Sequence, residues 1–214
     1  IAKAMLATLP ENDAFRSLYN EPELVKKMIA DGYTGRKGKG GFYRMNKTGE
    51  KKIKEVINLK TGEYKPIESK ILLASVDAAK AGIGALLTHP DIGGQYAASV
   101  LMGTLHYAAS LIPEISDDIA SVDTAMKLGY SWKYGPFEMI DKIGVDNFIG
   151  VLKAHGKTIP AILEKAAGKK LYSVLGTRCS VLNLNGEYKD IIPPADSLML
   201  GDIKLGKKPV LKNG

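Results

Sequence analysis

Hydrophobic residues recur at helical spacing along most of the chain, which predicts a mainly α-helical protein. Residues 1–9 and 21–30 each place apolar side chains on one face, and Pro22 suits the first turn of the second helix. The helical period returns from residue 69 and leads into a long helix over about residues 94–111. This pattern predicts a helical bundle.

Capping residues mark further helices in the second half of the chain. Asp117-Asp118 offers an N-cap for a helix that runs to Leu128, and Gly129 can close that helix in the left-handed conformation. Pro136 is placed to start the next helix at its first position, and Gly144 to end it.

Two segments change from the helical period to short strand-like runs. Residues 42–67 contain three such runs, separated by turn residues at 47–50 and 60–63, and predict a small antiparallel meander. Residues 179–191 predict another hairpin, because Asn185-Gly186 is a strong hairpin signal.

The tripeptide Gly-Glu-Tyr occurs at residues 62–64 and again at 186–188, each time after a helical segment. We interpret this as a weak internal repeat of helices followed by a hairpin. The predicted parts are residues 1–68, the remainder of a first helical unit plus the meander; 69–170, a second helical unit; and 171–214, a hairpin and linker toward a further domain.

Composition indicates a globular chain from a reducing compartment. The 214 residues are 45% hydrophobic, enough for a core. The single cysteine, Cys179, cannot form an internal disulfide, and no Cys/His cluster suggests zinc, so we predict a cytoplasmic protein without a metal site. The most apolar stretch, residues 96–112, is interrupted by polar residues, so no membrane span is predicted.

The net charge of +7 would suit an acidic partner such as nucleic acid, an anionic membrane or a phosphate-bearing cofactor. Lysines concentrate near the aromatic residues Phe42, Tyr43 and Tyr64, as in a platform for single-stranded nucleic acid. However, these lysines alternate with acidic residues and match no known RNA-binding pattern. We therefore predict no nucleic-acid partner.

The loop at residues 35–41 contains four glycines and three cations, which together could cradle a phosphate. Its spacing fits neither the Walker pattern nor the dinucleotide-binding GxGxxG pattern. The alternative is a tight turn that delivers Phe42 and Tyr43 into the core and leaves its cations in water.

No self-contained active site is visible in the sequence. His89 lies at a turn, His106 within an apolar helical run and His155 at a helix end, and each is more typical of a structural histidine than of a catalytic base. No serine stands in a GxSxG nucleophile elbow. The prediction is that the chain carries no catalytic residue.

Two segments resemble motifs of a known family. Residues 32–43 resemble the GxxGrKxGkGFY segment of the 3-hydroxyacyl-CoA dehydrogenases, and residues 123–141 resemble the family's DxamklGxxxxxGPFxxxD segment. Both belong to the helical C-terminal region of those enzymes and occur here in the same order. The resemblance covers about residues 1–170.

The resemblance implies a bundle of the 6-phosphogluconate dehydrogenase C-terminal-like type, with two helical units and small β-hairpin insertions. In such enzymes a Rossmann domain binds NAD and carries the catalytic His and Glu. The helical region completes the acyl-CoA pocket and forms a homodimer, or an intramolecular pseudo-dimer when two helical units share a chain. This chain lacks the Rossmann fingerprint, the His/Glu pair and the Asn-Arg segment that opens the first helical unit. No NAD is therefore expected to bind the fragment itself.

The residues that match family positions are given roles on that basis. The predicted substrate-binding residues are Arg36, Lys37 and Lys39. The predicted structural residues are Gly35, Gly38, Gly40, Phe42, Tyr43, Gly129, Gly135, Pro136, Phe137 and Asp141.

Residues 198–213 resemble the junction into an enoyl-CoA hydratase-like domain that some bacterial versions carry. We interpret the chain as a fragment of an NAD-dependent (S)-3-hydroxyacyl-CoA dehydrogenase of fatty-acid β-oxidation, inactive without its Rossmann domain. The alternative is a stand-alone helical interaction or dimerisation module without catalytic activity.

Overall fold

A computed structural model describes residues 2–47, 52–67, 72–175 and 178–192. Within these ranges it contains ten α-helices and two three-stranded antiparallel sheets. This architecture confirms the prediction of a mainly α protein with small hairpins. The chain divides into two compact units, Ile1–Leu72 and Leu73–Gly214. The three-part division drawn from the sequence stays a prediction.

Three helices open the first unit: α1 (Ala2–Thr8), α2 (Ala14–Leu18) and α3 (Glu23–Ala30). The helix predicted over residues 21–30 is present, but it begins at Glu23, so Pro22 is its N-cap and does not lie in its first turn. Gly32 follows the helix with a φ of 84°. The short helix α2 is not evident in the hydrophobic pattern. Its N-cap is Asp13, whose carboxylate accepts the amide of Phe15 at 2.8 Å.

The first sheet confirms the predicted meander. Its strands are β1 (Tyr43–Asn46), β2 (Ile53–Ile57) and β3 (Tyr64–Pro66), in the order β1-β2-β3. In the turn before β3, the Asn58 side chain accepts the amides of Lys60 and Thr61, and Gly62 adopts a φ of 74°. The other predicted turn, over residues 47–50, lies mostly outside the described residues.

Seven helices form the bundle of the second unit: α4 (Ala74–Ala78), α5 (Ile83–Leu87), α6 (Ile92–Ser110), α7 (Ile119–Tyr130), α8 (Pro136–Ile143), α9 (Val145–Ala154) and α10 (Ala161–Lys165). Pro136 and Gly144 bound α8 as predicted, and the φ of Gly144 is 93°. None of the helices that the structure describes is both long and apolar enough to cross a membrane.

The core of the second unit lies where α6, α8, α9 and α10 meet. Leu105 of α6, Phe137 of α8 and Leu163 of α10 have no exposed surface. Phe148 of α9 is 1% exposed. The apolar faces predicted from helical spacing therefore point into one shared interior.

The second sheet packs on this core. Its strands are β4 (Tyr172–Leu175), β5 (Arg178–Leu182) and β6 (Tyr188–Asp190), in the order β4-β5-β6. Leu171, Val181 and Leu182 bring the sheet into the helical core. The sequence predicted the β5–β6 hairpin but not β4. The predicted linker and the resemblance to a hydratase junction fall after residue 192, outside the described residues.

Candidate functional site

The glycine-rich loop of the first unit is a closed turn. The amide of Gly35 donates to the carbonyl of Gly40 at 2.7 Å, and the amide of Gly38 donates to that of Gly35 at 3.0 Å. Gly35 and Gly40 have φ values of 112° and 130°, which favour glycine. A Cβ atom at Gly38 would lie 2.6 Å from the Gly32 carbonyl and from the Thr34 hydroxyl. The turn therefore requires glycine at three of its positions.

The predicted substrate-binding cations Arg36, Lys37 and Lys39 all lie exposed on this turn. Within the described part of the chain, none of them forms an ion pair with a carboxylate. Their charges therefore face solvent, where a phosphate could reach them. Their role in substrate binding stays a prediction.

The interpretation of this loop as a turn that delivers Phe42 and Tyr43 into the core is wrong. The two side chains are 48% and 58% exposed. The ammonium group of Lys54 lies 5.3 Å from the centre of the Tyr43 ring. Aromatic residues after a glycine-rich turn suggested burial, but the face of the first sheet on which Tyr43 lies is open to solvent.

The interior side of the first sheet is built around Arg44 instead. Its guanidinium group donates to Glu55 at 2.6 Å and to the Tyr33 hydroxyl at 2.9 Å. The guanidinium carbon also lies 3.9 Å from the centre of the Tyr64 ring. Glu55 is 6% exposed, and its hydrogen bonds to Asn46 and Arg44 lower its pKa. Sequence reasoning missed this cluster, because its members are separated by up to 31 positions.

The second motif is organised by Asp123, a fully buried residue of α7. One carboxylate oxygen accepts the amide of Phe137 at 2.8 Å. The other accepts the amide of Glu138 at 2.9 Å and the hydroxyl of Tyr172 at 2.8 Å. Gly135 is the N-cap residue of α8 and has no side chain that could accept a hydrogen bond. Asp123, which belongs to α7, therefore caps α8 in its place.

The glycine and proline of this motif fit the same arrangement. A Cβ atom at Gly135 would lie 2.4 Å from the backbone of Asp123, so the two helices approach too closely for any larger residue. Pro136, the first residue of α8, has no amide that needs an acceptor. Glu138 accepts the Gly135 amide at 2.9 Å and pairs with Lys127 of α7 at 2.5 Å. Phe137 then enters the core, with no exposed surface.

Asp141, near the end of α8, binds the backbone at the start of the second sheet. Its two carboxylate oxygens accept the amides of Leu171 and Tyr172 at 2.7 and 2.8 Å. Asp123 and Asp141 thus bind one segment from two sides, through the Tyr172 hydroxyl and through its backbone. Both aspartates belong to the quoted motif, whereas Tyr172 lies 49 residues after Asp123 and was not predicted.

Burial controls the electrostatics of this cluster. It raises the pKa of Asp123 to about 6, against the lowering effect of its three hydrogen-bond donors. Burial also raises the pKa of Asp141. The pKa of Tyr172 is raised by burial and by the neighbouring Asp123 charge, so its hydroxyl remains a donor. At neutral pH an ionised Asp123 therefore accepts three hydrogen bonds.

The prediction that Gly129 closes α7 is wrong. The helix continues through Tyr130, and Ser131 adopts the left-handed conformation with a φ of 56°. Gly129 lies inside the last turn, and a Cβ atom there would meet nothing within 4 Å. Local sequence favoured the glycine as the cap, but the chain adopts the left-handed conformation two residues later.

The three histidines have structural partners. A ring nitrogen of His106 lies 2.9 Å from the carbonyl of Thr158, and one of His155 lies 2.9 Å from that of Val151 at the end of α9. His89 lies 3.3 Å from Asp91, which caps α6 by accepting the Gly94 amide at 2.8 Å. Over the described ranges, no group of three or more His, Cys, Asp or Glu residues is placed to hold a metal ion.

These features define a helical domain in which the polar residues of the second motif mainly bind backbone amides of neighbouring segments. Residues 94–176 match the model of the family described as 3-hydroxyacyl-CoA dehydrogenase, C-terminal domain. This part of the chain is therefore similar to the C-terminal domain of the 3-hydroxyacyl-CoA dehydrogenases, as the sequence motifs predict.

Curated relatives support the same assignment. A Rickettsia felis protein named "Putative fatty acid oxidation complex trifunctional enzyme" is 39% identical over 94% of this chain and 26% of its own length. A Bacillus subtilis protein named "Probable 3-hydroxyacyl-CoA dehydrogenase" is 30% identical over 92% of this chain and 26% of its own length. The chain thus spans about a quarter of the length of these relatives. No solved structure matches it with significance.

Proposed function

We propose that this chain supplies the substrate-pocket and dimerisation region of an NAD-dependent (S)-3-hydroxyacyl-CoA dehydrogenase of fatty-acid β-oxidation. The match of residues 94–176 to the C-terminal domain of that family carries the proposal. The single cysteine and the relatives named for fatty-acid oxidation favour a cytoplasmic location.

The reaction oxidises the 3-hydroxyl group of an acyl-CoA to a ketone. NAD would accept a hydride from C3, while a histidine base outside this chain takes the hydroxyl proton. Within the chain, the buried Asp123 and the half-buried Asp141 accept hydrogen bonds from backbone amides and from the Tyr172 hydroxyl, so we assign them a structural role. The expected contribution of the chain is therefore binding and orientation of substrate, and the isolated fragment should be inactive.

The exposed cations of the glycine-rich turn are suited to the phosphates of coenzyme A. Four consecutive positions of the turn contain Arg36, Lys37 and Lys39. The turn is bounded by Gly35 and Gly40, which both adopt positive φ values. Phosphate groups bind such clusters through charge-assisted hydrogen bonds. This proximity supports a contact with the CoA portion of the substrate.

An exposed apolar stripe on α6 supports the dimerisation role. Ile92, Tyr96 and Val100 recur every four residues and are 73%, 71% and 47% exposed. Apolar surface of this kind is typical of an interface. The same stripe is the observation that would favour the alternative, an interaction module without catalytic activity.

The decisive experiment measures 3-hydroxyacyl-CoA-dependent NAD reduction by residues 1–214 and by the full-length product of the gene. We expect activity only in the full-length product. In that protein, replacing Arg36, Lys37 and Lys39 together by alanine should raise KM for the acyl-CoA about tenfold with little change in kcat, because three phosphate contacts are lost. Lys60→Ala, at an exposed lysine of another turn, is the matched control. Absence of activity in the full-length product would favour the interaction module.

A further inference from the structure

The base of the Arg44 side chain packs against the glycine-rich turn. A Cβ atom at Gly40 would lie 2.7 Å from the Cβ atom of Arg44 and 3.3 Å from its Cα atom. Gly40 can approach this closely because it has no side chain, and its φ of 130° is one that favours glycine. The backbone at the end of the turn therefore lies directly on Arg44.

The guanidinium group of Arg44 binds the segment that enters the turn. It donates to the Tyr33 hydroxyl at 2.9 Å. The amide of Tyr33 donates to the carbonyl of Met28 at 2.8 Å, which joins this residue to helix α3. The turn therefore begins at a tyrosine whose backbone is bound by a helix and whose side chain is bound by Arg44.

The segment that leaves the turn is bound through a second tyrosine. The guanidinium carbon of Arg44 lies 3.9 Å from the centre of the Tyr64 ring, and the hydroxyl of that ring donates to the carbonyl of Gly41 at 2.7 Å. A planar guanidinium group stacked on an aromatic ring restricts the orientation of the ring. Arg44 therefore orients the hydroxyl that binds the end of the turn.

Glu55 restricts the guanidinium group itself. Its carboxylate accepts Nε of Arg44 at 2.6 Å and the side-chain amide of Asn46 at 2.9 Å. Glu55 is buried and lies directly across from Arg44 on the neighbouring strand β2. Because Nε is bound to a buried carboxylate, the guanidinium plane is set and its Nη1 is directed at Tyr33.

The cations proposed to bind coenzyme A extend from this turn into solvent. Arg36, Lys37 and Lys39 are long, exposed side chains, so the backbone of the turn determines where their charges can meet. Ordering a loop and its side chains on binding costs free energy, and a backbone that is already ordered avoids part of that cost. The rigidity of the turn therefore affects its affinity for phosphate.

We propose that Arg44 is a positioning residue for the binding of coenzyme A phosphates. It binds the two ends of the glycine-rich turn, through Tyr33 and Tyr64, so that the three cations of the turn face the phosphates together. Arg44 acts through the turn and takes no part in the reaction. The inference rests on the proposed contact between this turn and the CoA portion of the substrate.

The test compares two substrates of the full-length product of the gene. One is a 3-hydroxyacyl-CoA, and the other is the matching 3-hydroxyacyl-pantetheine thioester, which lacks the nucleotide and every phosphate. Arg44→Lys keeps a cation opposite Glu55 but loses the planar group that reaches Tyr33 and stacks on Tyr64. We expect KM for the CoA substrate to rise about fivefold and KM for the pantetheine thioester to change less than about twofold, with kcat unchanged for both.

A second variant tests the contact at the end of the turn. Tyr64→Phe removes only the hydroxyl that binds the Gly41 carbonyl and leaves the ring on Arg44. It should raise KM for the CoA substrate alone, by about two- to threefold. Arg16→Lys is the matched control, because Arg16 lies in the same unit and binds the carbonyls of residues 9 and 10. Neither KM should change in that variant.

The variant with alanine at all three cations of the turn separates this inference from the proposed function. In that background Arg44→Lys should have no further effect on KM, because the charges that it positions are gone. Equal losses with both substrates, or an undiminished effect in the three-alanine background, would overturn the role of Arg44 and leave the CoA contact of the turn intact. If the three-alanine variant does not distinguish the two substrates, or the full-length product is inactive, both proposals are wrong.

Discussion

Each unit contains a three-stranded antiparallel sheet of the same topology, but the two sheets differ in how far their side chains are buried. In the second sheet, Leu171 and Leu182 are 0% and 1% exposed because helices cover them. In the first sheet, the Phe42 carbonyl accepts the Ile57 amide as the Leu171 carbonyl accepts the Leu182 amide, but the Phe42 side chain is 48% exposed. Turn chemistry therefore determines how the strands pair, while carboxylates from distant helices determine what the paired strands pack against.

The two sheets also stabilise their central pair of strands in different ways. Arg44 lies across from Glu55 in the first sheet, and the equivalent pair in the second is Ser173 and Ser180. The first unit thus holds its sheet with an ion pair shielded by tyrosines, whereas the second relies on burial of leucine and valine. A polar cluster can order a sheet that has little apolar cover.

The largest expected effect concerns Asp123. Asp123→Ala removes the acceptor for two backbone amides and the Tyr172 hydroxyl inside the core, and should lower the free energy of unfolding of the second unit by about 4 kcal/mol. Urea unfolding followed by fluorescence of Trp132, which packs against that core, measures it.

The matched control for this change is Asp117→Ala, at an exposed aspartate just before α7. Its effect should stay within about 0.5 kcal/mol. Amide exchange in the first sheet should be the same in both variants, since that sheet has no equivalent bond to Asp123. A loss below about 1 kcal/mol in Asp123→Ala would show that α8 does not depend on this cap.

The second expected effect is an opposite pH dependence of the two units. Because the pKa of Asp123 is raised to about 6 in the fold, the folded state binds its proton more readily than the unfolded state. The stabilisation linked to its protonation is therefore full below about pH 4 and is lost as pH rises through about 6, a change on the order of 3 kcal/mol that is additional to its hydrogen bonds. Asp123→Asn should remove this slope from the Trp132 transition.

Glu55 gives the stability of the first unit a pH dependence of the opposite sign. Its pKa is lowered, so its stabilising contribution is present above its unfolded pKa and is lost as pH falls through the folded value. Amide exchange of β2, measured from about pH 3 to 6 and corrected for intrinsic rates, should show protection that increases with pH and levels off above the unfolded pKa of Glu55. Parallel slopes in the two units would contradict the comparison.

A smaller effect is expected at Asp141. Asp141→Asn leaves one acceptor oxygen for the amides of Leu171 and Tyr172, which are partly shielded from water, and should destabilise the second unit by about 2 kcal/mol. Exchange of the Leu171 and Tyr172 amides should accelerate more than that of Leu105, deep in the core. Asp190→Asn, on the edge strand β6, serves as the control. If exchange accelerated equally at all these amides, Asp141 would contribute to the stability of the whole unit and not to the local attachment of Leu171 and Tyr172.

Sequence reasoning succeeded where the signal is local. Asn185-Gly186, Pro136 and Gly144 each determine the backbone around themselves, and the structure places a turn, a helix start and a helix end there. It failed where the partner is remote. The bond between Asp123 and Tyr172 spans 49 positions, and no periodicity links them. The motif contains both aspartates, but only Asp141 was among the predicted structural residues, and only the fold shows which amides each of them binds.

The smallest expected effect has the opposite direction. Gly129 lies in the helical conformation inside α7, and a Cβ atom there meets nothing within 4 Å. Gly129→Ala should therefore stabilise the second unit by about 0.5–1 kcal/mol, because alanine restricts the unfolded chain and favours helix. Gly135→Ala, six residues later, should destabilise it, since its Cβ would lie 2.4 Å from the Asp123 backbone. Unfolding curves followed by Trp132 fluorescence would show these opposite signs for the two variants. Destabilisation by Gly129→Ala would instead support the sequence-based prediction that Gly129 closes α7 in the left-handed conformation.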